Sequence, residues 1–101
     1  MEDNFIPLYK YPSGQFTGWK NVSDNRLYNQ FGLNVGFFVN NVAYFLNGQY
    51  LGEIVNGDYI GKILSKTYPP QSPKVPSIPI SKIPIINRIP TSTTGWVDPD
   101  I

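Results

Sequence analysis

Eight of the nine glycines of this chain lie between Gly14 and Gly61. All eight fall in pairs four residues apart: Gly14/Gly18, Gly32/Gly36, Gly48/Gly52 and Gly57/Gly61. Glycine weakens helix and strand interiors alike, so this spacing prescribes where the chain turns and bends. It also implies internal repetition. The clearest copies are NGQYLGEIV at 47–55 and NGDYIGKIL at 56–64, identical at five of nine positions. FGLNVGFFV at 31–39 and SGQFTGWKN at 13–21 are looser copies.

The copies begin with turn dipeptides. Asn-Gly occurs at 47–48 and 56–57, and it is the strongest short-range hairpin signal because a type I′ turn needs positive φ at both central residues. Asn40-Asn41, Ser13-Gly14, Phe31-Gly32 and Asp24-Asn25 are weaker versions. Strands are expected near 15–23, 26–30, 33–39, 42–46, 49–55 and 58–64, where Val, Ile, Phe and Tyr concentrate. No stretch keeps a helical period. The expected fold class is all-β: a pseudo-repeated antiparallel meander of short strands, flower- or barrel-like.

The second glycine of each pair reads as a β-bulge or sharp bend, where two residues face one. Residues three apart then share a face. That groups Val35 with Phe38, Leu51 with Ile54 and Ile60 with Ile63, and sets Glu53 and Lys62 together on the other face. Gly32, Gly36, Gly48, Gly52, Gly57 and Gly61 are therefore the expected structural turns and bulges. A GxxxG transmembrane reading needs an apolar helix, which the polar residues and Asn-Gly turns exclude.

The chain divides into a body, residues 1–67, and an extended tail, 68–101. Seven prolines fall between Pro69 and Pro90, and Pro70, Pro73, Pro76 and Pro79 line one edge of a polyproline II helix. Such a segment can be a semi-rigid linker. Its spacers, however, include Ile78, Ile80, Ile83, Ile85, Ile86 and Ile89, an aggregation hazard if left in water. The tail is therefore expected to be ordered and to cover apolar surface, on its own body or, preferably, on a neighbouring subunit. Charge agrees: residues 1–58 carry −2 and residues 59–97 carry +5 with no acid.

The absence of histidine and cysteine removes Ser-His-Asp and Cys-His catalysis, thiol nucleophiles, disulfides and Cys/His zinc sites. The net charge of +1 creates no field for nucleic acid or membrane. No apolar run reaches transmembrane length, and the acidic N-terminus does not read as a signal peptide. The expected location is the cytoplasm. No enzymatic activity and no cofactor or metal is expected. Glu53 and Asp58 could approach across the 56–57 turn as a carboxylate pair, and Asp98-Pro99-Asp100 could hold a hard cation. Solvated turn charges and an acidic C-terminal stretch are the favoured readings.

Residues 26–64 resemble the small bacterial four-fold β-flower proteins, with short strands of the form Y-x-x-x-G-x-x-V/L-G ahead of a Pro-rich tail. Tyr28-Gly32-Val35-Gly36 and Tyr44-Gly48-Leu51-Gly52 fit that form, whereas the unit Gly57-Ile60-Gly61 lacks its aromatic. The resemblance implies an all-β, pseudo-symmetric fold and no activity or site residues.

Two functions remain. One is a structural or protein-interaction module that self-assembles as a homo-oligomer or binds another protein, with neither membrane nor nucleic acid as the expected partner. The other is a small ligand-binding module for carbohydrate or nucleotide, using Trp19, Tyr28, Tyr44, Tyr50 and Tyr59 as a stacking face. Cross-strand aromatic pairs that merely hold the repeats together are the competing role for those rings.

Overall fold

The structure, a computed structural model, describes residues 4–101; Glu2 and Asp3, counted above among the acids of the body, lie outside it. Seven strands follow in chain order: β1 (Phe5–Tyr11), β2 (Phe16–Asn21), β3 (Arg26–Asn29), β4 (Asn34–Val39), β5 (Val42–Phe45), β6 (Tyr50–Val55) and β7 (Tyr59–Ile63). Each pairs antiparallel with the next, and β7 closes onto β1 in parallel. The parallel seam follows from the odd strand number: the seventh strand of an up-and-down meander runs the same way as the first. A short β8 (Trp96–Val97) pairs with the end of β7. Among the described residues there is no helix. The fold is a closed, all-β mixed barrel with one extra strand.

Three bulges recur at equivalent places. Leu8 faces Gly18 and Tyr9 faces Phe16, which leaves Thr17 unpaired. In the same way Val35 is left out beside Gly36, and Leu51 beside Gly52. The extra residue in each strand brings Val35 and Phe38, and Leu51 and Ile54, onto the barrel interior together. The fourth pair differs. The β6–β7 register runs unbroken through Glu53↔Gly61, Ile54↔Ile60 and Val55↔Tyr59, so Gly61 is not a bulge. Ile60 is in the core, but Ile63 lies outside, beside Tyr50 and Tyr68. The indole of Trp96 explains the glycine instead: a Cβ on Gly61 would stand 2.7 Å from that ring.

The interior is small: Leu8, Leu27, Phe38, Ala43, Leu51 and Ile60, each at most 5% exposed. β2 contributes no large apolar side chain to it, only Thr17. Ile101 fills that side, packing on the cluster while the Thr17 hydroxyl donates to its oxygen at 3.5 Å. A buried Leu, Ile or Phe contributes about 1.5–3 kcal/mol, so five such positions and one alanine form a modest core. The barrel therefore needs a second apolar layer, and the tail supplies its cover.

After β7 the chain runs without strand or helix through residues 66–93. It circles the end of the barrel that carries the β1–β2, β3–β4 and β5–β6 turns. Gln71 N–H donates to the Gly48 carbonyl (2.8 Å), Lys74 to Leu46 (2.9 Å), Ile80 to Gly32 (2.9 Å), Arg88 to Gly14 (2.7 Å) and Thr91 to Pro12 (2.7 Å). Ser77 N–H donates to Asn34 Oδ1 (3.0 Å). The belt then returns to β7 through β8, so the circuit closes.

The spacing of these donors is the three-residue repeat of a polyproline helix. Gln71-Ser72-Pro73, Lys74-Val75-Pro76 and Ser77-Ile78-Pro79 each give an anchor whose N–H faces the barrel, an outward residue, and a proline without a donor. After Ile80 the frame slips by two. It resumes as Lys82-Ile83-Pro84, Ile85-Ile86-Asn87 and Arg88-Ile89-Pro90, in which the Asn87 side chain accepts the Phe16 N–H at 2.9 Å. The tail thus packs in cis, on its own barrel. Its isoleucines are not buried by that packing: Ile78, Ile83, Ile86 and Ile89 are 85–86% exposed. The ordering comes from the backbone, and of the isoleucines between residues 78 and 89 only Ile80 joins an apolar cluster.

Close approach of belt to turn needs glycine. At Gly32 (φ +82) a Cβ would collide with the Ile80 carbonyl oxygen, and at Gly48 (φ +93) with that of Gln71. Gly57 (φ +84) has the same backbone and nothing within 4 Å of a Cβ. Gly32→Ala and Gly57→Ala therefore share the strain of a positive φ, about 1–2 kcal/mol. Only Gly32→Ala also displaces the belt. Denaturant titration is expected to show Gly32→Ala less stable than Gly57→Ala by at least ~1 kcal/mol; equal losses would mean the belt contact contributes nothing.

Candidate interaction surface

The outer wall of the barrel is aromatic because, Phe38 apart, the hairpins turn small or aliphatic residues inward and rings outward. Tyr9, Phe16 and Trp19 form one outer cluster, with Phe5, Tyr59 and Ile80 packed against it. Phe16 and Trp19 meet edge to face at 4.8 Å, Phe5 and Tyr28 at 5.8 Å, and Phe37 stacks on its cross-strand partner Tyr44 at 5.8 Å. Such pairs are worth about 0.5–1.5 kcal/mol beyond their area.

Each cation of residues 59–97 sits over one of these rings or its neighbour. Lys62 lies over Tyr50, Lys66 over Tyr68, Lys74 over Phe37, Lys82 over Phe5, and Arg88 over Tyr9 (3.8 Å) and Tyr59 (5.2 Å). Two reach acids as well: Arg88 pairs with Asp58 at 2.9 Å and Lys66 with Glu53 at 3.7 Å. The basic tail therefore docks on an acidic, aromatic body, through rings more than through carboxylates.

Of the five rings expected to form a stacking face, the structure buries three. Trp19 is 3%, Tyr28 3% and Tyr44 4% exposed. Tyr50 and Tyr59 are half-buried and stand at opposite ends of the barrel, because β6 and β7 run antiparallel from them. No single face collects the five. Each packs on another ring: Trp19 on Phe16, Tyr28 on Phe5, Tyr44 on its cross-strand partner Phe37, Tyr50 on Tyr68 and Tyr59 on Tyr9.

The carboxylates are likewise engaged separately. Glu53 accepts from the Tyr50 and Tyr68 hydroxyls at 3.4–3.5 Å. Asp58 holds Arg88. Asp98 accepts the Ser13 N–H at 3.1 Å and so clasps the belt's end to the first turn. Among the described residues no group of three or more acids is arranged to hold a metal ion. Trp96 meets Tyr11 edge to face at 5.4 Å and seals the return of the belt onto β7.

Two residues central to this surface carry no sequence signal. Asn34 is 7% exposed. Its amide donates to the Leu27 and Gly36 carbonyls across the bulge, and its oxygen accepts from Arg26 and from Ser77 of the belt. Asn87 stands where the repeat calls for proline and substitutes a side-chain acceptor.

What remains outward is an uncharged ladder. Val75 is 78% exposed, and Ile78, Ile83, Ile86 and Ile89 are 85–86% exposed. Phe31 (74%) and Leu33 (49%) flank the Gly32 turn to which Ile80 is bonded, and Leu64 (66%) lies where the chain leaves β7. A surface this apolar, rigidly presented, exceeds the scattered exposure usual for a soluble monomer. A separate hollow of about 430 Å³ lies beside Tyr50, Tyr68, Lys62 and Lys66. Another of about 420 Å³ lies at the belted mouth among Asn29, Val35, Phe45, Asn47 and Ile101.

The chain matches no protein-family model, no curated protein and no solved structure.

Desolvation is the main cause that pushes the Tyr50 hydroxyl from 10.0 up to about 12; the Ile63 backbone N–H opposes it and the charge of Glu53 reinforces it. The hydrogen bond that the Lys66 ammonium donates to the Tyr68 hydroxyl, and then the charge of Glu53, raises Lys66 as well. Both groups have folded pKa values above their unfolded ones, so their contribution is complete below pH ~10 and is lost as pH rises toward 12. The melting temperature is expected to fall over that window, and less steeply in Tyr50→Phe. Identical pH profiles for the two proteins would remove Tyr50 as a cause.

Proposed function

We propose that this protein is a non-enzymatic structural or protein-interaction module that self-assembles. The observation that carries this reading is the ladder Val75, Ile78, Ile83, Ile86 and Ile89, exposed on a segment whose conformation is already fixed by backbone bonds to the barrel. An ordered segment has already lost its conformational entropy, so a partner gains apolar burial without ordering cost. The same side chains could have faced Phe37, Phe5, Tyr9 and Tyr59, where Lys74, Lys82 and Arg88 are found instead. Turning aliphatic groups outward and charged groups inward favours association over solubility as the purpose of the tail. Engagement of Glu53, Asp58 and Asp98 in structural bonds supports a non-catalytic role.

Ligand binding is a second reading, favoured by one observation. The hollow beside Tyr50 and Tyr68 offers two rings 4.9 Å apart with lysines at their faces. It uses one of the five rings first expected there.

Light scattering tests the first reading. The full chain is expected to show a mass at a multiple of 11.4 kDa at micromolar concentration. Replacing Ile83, Ile86 and Ile89 together by serine is expected to reduce it to 11.4 kDa without lowering the melting temperature by more than a few degrees. A monomeric mass for the unaltered chain contradicts self-assembly.

A further inference from the structure

The outward residues of the belt are spaced symmetrically. Positions 75, 78 and 81 are followed, after the two-residue slip, by 83, 86 and 89, so the ladder reads the same from both ends about residue 82. An interface across a twofold axis must be self-complementary, with residue i meeting j and j meeting i. This ladder meets that condition. With a twofold axis at residue 82 and belts antiparallel, Val75 faces Ile89, Ile78 faces Ile86 and Ser81 faces Ile83. No charge opposes the pairing, because Lys74, Lys82 and Arg88 all turn inward onto Phe37, Phe5, Tyr9 and Tyr59.

The shape allows it. The molecule measures 39 × 32 × 19 Å. Strands of four to seven residues are ~13–23 Å long, so the short dimension is the barrel axis and the molecule is a disc. The belt runs round one end of that disc. A twofold axis through residue 82 of both copies makes their belts run antiparallel past one another. The five outward aliphatic side chains expose on the order of 700 Å² per copy, close to the ~800 Å² per partner of a stable interface. Phe31, Leu33 and Leu64 on the same end add to it.

We infer that the partner of the belt is a second copy of this chain, joined belt to belt in an antiparallel twofold dimer centred on residue 82. This rests on the self-assembly proposed above and adds its partner and register.

The chain has no cysteine, so single cysteines report on geometry without background. Ile78→Cys and Ile86→Cys, both at positions 86% exposed, are prepared separately and mixed under mild oxidation. The antiparallel register brings residue 78 of one copy to residue 86 of the other. Like residues are eight positions apart along the belt, roughly 25 Å at ~3.1 Å per residue. The mixed 78–86 disulfide is expected to form at least tenfold faster than either homodimer. Circular dichroism of each variant establishes that it is folded. An oligomeric mass with no 78–86 preference, or with faster like-to-like links, overturns the twofold register while leaving self-assembly standing. A monomeric mass overturns both.

Discussion

Backbone N–H groups three residues apart, at Gln71, Lys74, Ser77 and Ile80 and again at Arg88 and Thr91, hold the belt to the barrel turns, and the rest of the molecule depends on them. Prolines at 73, 76, 79, 84 and 90 remove donors that would otherwise point to water and keep the chain extended. The anchors between them meet the turns at Gly48, Leu46, Gly32, Gly14 and Pro12 in that order, against the direction of the meander. Each such bond contributes only about 0.5–1.5 kcal/mol. Their sum over one closed circuit fixes a segment that buries little of its own apolar surface. The core alone is too small to stabilise a barrel of this size, so the belt and the wall it covers act as a second core.

That second core works by exchanging roles. The tail's cations, which a solvent-exposed segment would turn to water, lie instead on the rings of the outer wall. The tail's aliphatic residues take the solvent side. The arrangement explains why a chain with few charges keeps five of them in residues 59–97 without a single acid. It also explains why the outer rings are unavailable as a stacking face: the protein occupies that face itself.

Much of the architecture was legible in the residues. Turn dipeptides placed β2 through β7 to within about two residues, and glycine pairs located the bulges at Gly18, Gly36 and Gly52. β1 was not among the expected strands, and Pro7 within it argues against one; the proline is tolerated where β1 pairs with Trp19. Gly61 followed the same spacing for a different reason, the nearby indole of Trp96, which lies too far along the chain for a local pattern to reveal. The proline period exposed an extended tail but not its partner. Periodicity specifies which residues share an edge, and only the positions of Gly14, Gly32 and Gly48 at one barrel end decide which edge faces inward. Asn34 was not legible at all: its four bonds join bulge, Arg26 and belt, a coincidence of three segments with no shared motif.

Amide hydrogen exchange tests this account most directly, because it reads the belt one residue at a time. The N–H groups of Gln71, Lys74, Ser77, Ile80, Arg88 and Thr91 are bonded to the body, whereas those of Ser72, Val75 and Ile78 point away from it. The expected result is slow exchange at those six bonded positions and fast exchange at Ser72, Val75 and Ile78 between them. Uniformly fast exchange across residues 69–92 would contradict the account: the tail would be a loose linker and the barrel would have to stand on its interior alone.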